Sequence, residues 1–84
     1  MKNIEQVFTV IKKIYKEKLN KDPKELIRIT IDKDTNFVVL KEDCLSIIPR
    51  KYIDDYIDNH EESVAKKQTE FNIIHALKNF QKID

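Results

Sequence analysis

The stretch LIRITIDKDTNFVVLKEDCLSII, residues 26–48, decides the fold of this chain. Its first part, residues 26–32, alternates between isoleucine and polar side chains, which is the pattern of a strand with one buried face. A polar turn follows, and the run FVVLK at 37–41 is mostly apolar on both faces, which predicts a second, more central strand. A shorter third strand is predicted at 44–48. The simplest arrangement is an antiparallel sheet of two or three strands.

Helices are predicted on both sides of these strands. Apolar residues recur every three or four positions over residues 3–20, with lysines on the opposite side, which predicts an amphipathic helix. After the strands, a compact apolar face predicts a short helix at 50–60, and Ser63 is a suitable N-cap for a final helix at 63–82. The predicted fold is a single small α+β domain over residues 1–84, in the order α-β-β-(β)-α-α, whose sheet packs against helices.

The chain contains no glycine in its 84 residues. Loops that grip phosphate need glycine because their backbone amides approach the anion closely and their turns require positive φ. The sequence therefore excludes the P-loop, the dinucleotide fingerprint and the strained turn that presents a hydrolase serine. The one cysteine, Cys44, has no recognisable orienting group or oxyanion site. We expect no enzymatic activity, no catalytic residue, no metal and no cofactor.

A single cysteine cannot form an internal disulfide, which favours a reducing compartment. No basic and then apolar leader opens the chain, and no apolar run approaches the roughly 18 residues of a membrane span. We therefore expect a cytoplasmic protein without a membrane partner. Lysine far outnumbers arginine and isoleucine is abundant, a bias that fits an AT-rich coding sequence in a bacterium or a phage.

The net charge of +1 hides an uneven distribution. Residues 1–21 hold six lysines against two glutamates, and residues 64–84 hold four lysines against two acids. Between them, residues 22–63 hold eleven acids against six bases. Surfaces with two charge poles favour oriented association with another protein over general binding to nucleic acid.

The acidic middle of the chain ends in a cluster without a base. It consists of Asp54, Asp55, Asp58, Glu61 and Glu62. The cluster lacks the glycine and the alternating ligands of a calcium loop, so no metal site is predicted here. A solvated helix face is the alternative explanation. As a functional surface, the cluster is predicted to bind a basic surface of another protein.

The last predicted helix is apolar on two sides, whereas a surface helix usually has one apolar stripe. One side carries Val64, Gln68, Phe71, Ile74 and His75, and the other carries Ile73, Ala76, Leu77 and Phe80. We predict that Ile73, Leu77 and Phe80 form the interface of a homodimer or of a complex with a target. The alternative is that the first helix and the sheet cover both sides.

The last two helices are also compatible with a helix-turn-helix. The second of them would present Lys66, Lys67, Gln68 and Asn72, residue types that contact phosphates and base edges. The acidic residues of the preceding helix oppose this interpretation, and a net charge near zero gives little attraction for phosphates. We predict a non-enzymatic protein-binding module, such as a regulator, inhibitor or immunity-like protein, with a DNA-binding regulator as the alternative.

Overall fold

The computed structural model of the chain describes residues 3–59 and 63–83. In chain order, the elements are α1 (Ile4–Glu17), a 3₁₀ turn (Pro23–Glu25), β1 (Arg28–Ile31), β2 (Phe37–Lys41), β3 (Cys44–Ile48), α2 (Arg50–Asp58), α3 (Val64–Lys78) and β4 (Gln81–Lys82). The four strands form one antiparallel sheet in the order β1-β2-β3-β4. The predicted α+β class and order of elements are confirmed.

The register of the sheet separates a buried face from an outer face. Ile29 of β1 pairs with Val39 of β2, and Val39 pairs with Ser46 of β3. All three side chains are buried. Because side chains alternate along a strand, the neighbouring positions point the other way. On this outer face, Val38 is half-buried and Ile47 is exposed.

The core lies between the helices and the buried face of the sheet. Its fully or almost fully buried residues are Val7, Ile11, Ile14, Tyr15, Leu26, Ile29, Phe37, Val39, Ile48, Ile53, Ile73 and Leu77. Helix α1 contributes its predicted apolar stripe, and α2 contributes Ile53. Ser46, although polar, is tolerated here because its hydroxyl donates to the carbonyl of Ala76 in α3 at 2.6 Å. This bond joins β3 to α3.

The C-terminal residues do not continue the helix that was predicted over 63–82. Helix α3 ends at Lys78, and the side-chain amide of Asn79 donates to the carbonyl of His75 at 2.7 Å, which satisfies one of the last helical carbonyls. The chain then forms β4, where Gln81 pairs with Leu45. The sheet therefore has four strands instead of two or three. Gln and Lys have no strand propensity, and the open edge of β3 supplies the pairing.

Three other elements begin or end at residues that differ from the predicted ones. Helix α1 was predicted to reach residue 20 but ends at Glu17, because Asn20 adopts a left-handed φ of 57°. Strand β1 begins two residues later than predicted, because the N–H of Leu26 closes the 3₁₀ turn by donating to Pro23. Helix α2 ends at Asp58, and position 60, the predicted end, lies outside the described residues.

The described tight turns place residues other than glycine in left-handed geometry. Asn20, Thr35 and Glu42 have φ values of 57°, 63° and 51°. Thr35 lies in the β1–β2 turn, where Asp32 Oδ1 accepts hydrogen bonds from two backbone N–H groups at 2.9 Å each. These bonds hold the turn in shape. Positive φ is least favourable for a β-branched residue, so Thr35 is the most strained of the three.

Thr35→Gly is expected to raise the free energy of unfolding by about 0.5–1 kcal/mol. Glycine removes the steric strain at positive φ, and its greater freedom in the unfolded chain offsets part of the gain. Thr35→Ala is the matched control, since it also loses the hydroxyl bond to the Asp34 carbonyl but keeps a Cβ atom. Urea unfolding measures both. If Thr35→Gly is no more stable than Thr35→Ala, the claim that the backbone at position 35 is strained is contradicted.

Candidate functional site

The structure assigns the two apolar sides of α3 to different environments. Ile73 is 0% exposed and Leu77 is 2% exposed, so both belong to the core. Phe80 lies just beyond the helix, half-buried, with the ammonium of Lys41 5.3 Å from the centre of its ring. The side predicted as an interface is therefore the buried side of the helix. It packs toward α1 and β3, the alternative that the sequence left open for this side.

The opposite side of α3 faces solvent except at Ile74, which is half-buried against the core. Val64 is 78% exposed and Phe71 is 68% exposed, which makes them the most exposed large apolar side chains among the described residues. We call this side the outer stripe of α3, and it consists of Val64, Lys67, Gln68, Phe71 and His75, all exposed. At 100° per residue, these five positions fall within about 100° of arc. The outer stripe begins at the first turn, where Ser63 is the N-cap as predicted, since its hydroxyl accepts from the Lys66 N–H at 3.1 Å.

A groove of about 270 Å³ runs between α1 and α3. We call it the basic groove, and it is lined by Lys13, Glu17, Lys18, Tyr56, Lys66, Lys67 and Glu70. Four cations thus face two carboxylates. Sequence reasoning missed this groove because its walls come from opposite ends of the chain. The positive charge of both chain ends was the available signal, and the packing of α1 beside α3 brings those ends together.

One carboxylate of the basic groove, Glu70, already has partners within the protein. Tyr56 Oη donates to Glu70 Oε2 at 3.2 Å, and Lys18 Nζ lies 3.8 Å from Glu70 Oε1. Lys66 Nζ lies 4.6 Å from the centre of the Tyr56 ring. Among the described residues, no carboxylate forms an ion pair with Lys13, Lys66 or Lys67. Three lysines of the groove are therefore available to an external anion.

A second groove, of about 310 Å³, follows the outer edge of β3. Strand β4 covers this edge only at Cys44 and Leu45. Further along, its lining includes Ile47, which is 50% exposed, and Asn72 and His75 of α3. The groove is therefore lined by both apolar and polar residues.

The structure does not bring the predicted DNA-reading residues to one surface. Lys66 and Lys67 line the basic groove, whereas Asn72 lines the groove beside β3. Gln68 lies between them on the outer stripe. A recognition helix presents its base-reading side chains on one face, so this placement opposes the helix-turn-helix interpretation.

Only part of the acidic cluster is exposed at the protein surface. Asp58 is exposed, whereas Asp54 and Asp55 are half-buried. Glu61 and Glu62, the remaining members of the predicted cluster, lie outside the described residues. Within the described part of the chain, the cluster presents fewer accessible carboxylates than its sequence indicates.

Asp54 shares one face of α2 with Arg50. Arg50, one helical turn earlier on α2, donates from Nε to the Thr35 carbonyl at 3.2 Å and stacks 4.9 Å from the centre of the Phe37 ring. Arg50 Nη1 and Asp54 Oδ1 are both buried, and neither has a hydrogen-bond partner among the described residues. Asp54 is therefore less accessible to a partner than the exposed Asp58.

The strongest charge interactions of the described residues form a structural cluster. Tyr15 Oη donates to Glu25 Oε1 at 2.8 Å, and Lys41 Nζ lies 3.4 Å from the same oxygen. The Tyr15 hydrogen bond lowers the pKa of Glu25, while burial raises the pKa of Tyr15. The Tyr15 hydroxyl also raises the pKa of Lys41. The cluster joins α1, the 3₁₀ turn and β2, and the folded state favours its charged Glu25 and neutral Tyr15.

Glu25→Gln is expected to lower the free energy of unfolding near neutral pH and to make it depend less on pH in the acidic range. Because the pKa of Glu25 is lower in the folded state, its carboxylate stabilises the fold above its unfolded pKa. That contribution is lost as pH falls through the folded pKa. The stability difference between wild type and variant should therefore shrink from about pH 6 toward about pH 3 in urea titrations. A difference that stays constant over this range would contradict the assignment.

The described residues contain no metal centre, since no three His, Cys, Asp or Glu side chains lie together. Burial, and then a hydrogen bond to Asp43 at 3.6 Å, raises the pKa of the Cys44 thiol, which favours its neutral form. No helix within residues 3–59 and 63–83 is long and apolar enough to cross a bilayer. The chain matches no protein-family model, no curated protein and no solved structure.

Proposed function

We propose that this protein is a small non-enzymatic protein-binding module that docks its partner on the outer stripe of α3. The observation that supports this is the exposure of Phe71 and Val64 on a helix whose other side already completes the core. Burying such a side chain on association contributes about 1.5–3 kcal/mol. A regulator, inhibitor or immunity-like protein acts through such a surface. The composition and the single cysteine of this chain favour the cytoplasm of a bacterium or a phage-infected cell as the place where it acts.

The outer face of the sheet is the competing apolar surface. Its Val38, Leu40 and Leu45 are half-buried on neighbouring strands, Ile47 is 50% exposed, and Thr30 and Gln81 share the same face. An antiparallel sheet commonly leaves one face in water, so this face is accounted for without a partner. Val64 and Phe71 are 78% and 68% exposed, more than any apolar residue of the sheet's outer face, which makes the outer stripe the better docking surface.

Photo-crosslinking tests this proposal. Benzoylphenylalanine at position 71 is expected to form an adduct with one protein in cells of the source organism. The same residue at position 27 is the control, because Ile27 is 59% exposed but precedes β1 at the far edge of the sheet. An adduct of twice the 10.1 kDa chain mass would identify a second copy as the partner. No adduct from position 71, or the same adduct from both positions, would contradict the proposal.

The acidic face of α2 is a second candidate contact, for a partner with a basic surface. Asp55→Lys with Asp58→Lys is expected to abolish capture of such a partner. Asp54 is left unchanged because its Oδ1 is buried. Affinity capture with the wild type and the double variant measures the effect. Equal capture by both proteins would remove this surface from consideration.

DNA binding is the alternative function, and the observation in its favour is that Lys66 and Lys67 share a groove with Lys13 and Lys18. It predicts salt-dependent binding to duplex DNA that is lost in a Lys66→Ala, Lys67→Ala variant. Absence of binding at low salt would exclude this function.

A further inference from the structure

We infer that the segment docked on the outer stripe is acidic and amphipathic, with apolar side chains on Val64 and Phe71 and carboxylates in the basic groove. This inference rests on the proposed protein-binding function and specifies the chemistry of the partner.

The outer stripe and the basic groove are continuous through Lys67. This residue belongs to the stripe and also lines the groove. It lies three positions after Val64 and four before Phe71, so the three side chains are neighbours on the helix. A segment that covers the two apolar residues must therefore pass beside the Lys67 ammonium. Lys13 of α1 lies on the facing wall of the groove.

The charges of the groove favour an external anion. Glu70 is already engaged by Tyr56 and Lys18, so among the groove's carboxylates only Glu17 remains to offset Lys13, Lys66 and Lys67. Next to the groove, the surface of α1 extends the positive charge with Lys12 and Lys16 around a shallow depression of about 390 Å³. A carboxylate entering this region would form charge-assisted hydrogen bonds with lysine ammonium groups. The positive field would also steer an acidic partner toward it.

A protein segment fits this combination better than nucleic acid. Glu17 and Glu70 lie within the groove and would repel a continuous row of phosphates, whereas a peptide can place its own side chains around them. The apolar side chains of Phe71 and Val64 form no hydrogen bond or ion pair with a phosphate backbone. They can instead pack against apolar side chains spaced three or four residues apart on a partner helix. The net charge of only +1 also gives little general attraction for a polyanion.

Selection from a display library of random peptides tests the inference, with the 84-residue chain as bait. The selected pool is expected to combine apolar residues at helical spacing with an excess of Asp and Glu over the input library. Individual peptides should bind about tenfold more weakly to a Lys13→Glu, Lys67→Glu variant. Lys33→Glu with Lys51→Glu is the matched control, because it makes the same change in charge at exposed positions outside the groove, and it should retain binding.

The outcomes separate this inference from the proposed function. A pool without acidic excess whose binding is still lost in Phe71→Asp would overturn the inference and leave the function standing. Peptides that bind equally well to Phe71→Asp would overturn both. Binding of duplex DNA that is lost in the Lys13→Glu, Lys67→Glu variant, without enrichment of acidic peptides, would assign the groove to nucleic acid and overturn the inference.

Discussion

Ile73→Ala is expected to lower the free energy of unfolding by about 2–4 kcal/mol, whereas Phe71→Ala should change it by less than about 0.5 kcal/mol. The two residues are two positions apart on α3, and both are large and apolar. Ile73 is fully buried, so alanine there leaves a cavity in close-packed surroundings. Phe71 is mostly exposed, and its loss removes few contacts within the protein.

Urea unfolding of the two variants measures this contrast, with the midpoint and the slope fitted together. A lower midpoint at an unchanged slope is expected for Ile73→Ala. If Phe71→Ala proves as destabilising as Ile73→Ala, then Phe71 is packed within the domain, and the outer stripe is not a docking surface.

Phe71→Asp should weaken binding of the crosslinked partner by about 30-fold or more. An exposed aromatic residue that becomes buried in an interface is a typical hot spot, with losses of about 2 kcal/mol or more on truncation, and a buried carboxylate adds a desolvation penalty. Ile27→Asp is the matched control, since it places the same carboxylate on an exposed apolar position near β1. Isothermal titration calorimetry measures both.

The stability of the two aspartate variants must be compared as well, because an unfolded variant would also fail to bind. Both positions are exposed, so both variants should unfold at about the wild-type midpoint. Equal loss of affinity in Phe71→Asp and Ile27→Asp would contradict a specific role for the outer stripe.

The parts of the fold that depend on local pattern were predictable. Strands β2 and β3 match their predicted bounds because their sequences combine strand-forming residues with turn signals at both ends. Ser63 was predictable as an N-cap from its side chain alone. Strand β4 was not, because its two residues, Gln81 and Lys82, have no strand signal and pair only because β3 offers an open edge.

The candidate site depended on tertiary structure. Both sides of α3 are apolar, so the sequence could not show that Ile73 faces inward and Phe71 outward. That choice is made by the positions of α1, α2 and the sheet around the helix. The basic groove joins Lys13 and Lys67, which are far apart in the chain, and periodicity within one helix gives no information about its neighbour.

The most direct test of the account is an NMR titration of the isotope-labelled protein with the crosslinked partner. The largest changes in amide chemical shift are expected on the outward side of α3, at Val64, Lys67 and Phe71, and across the basic groove at Lys13. Changes confined to the outer face of the sheet, or to the acidic face of α2, would contradict the claim that the outer stripe of α3 is the protein-binding surface.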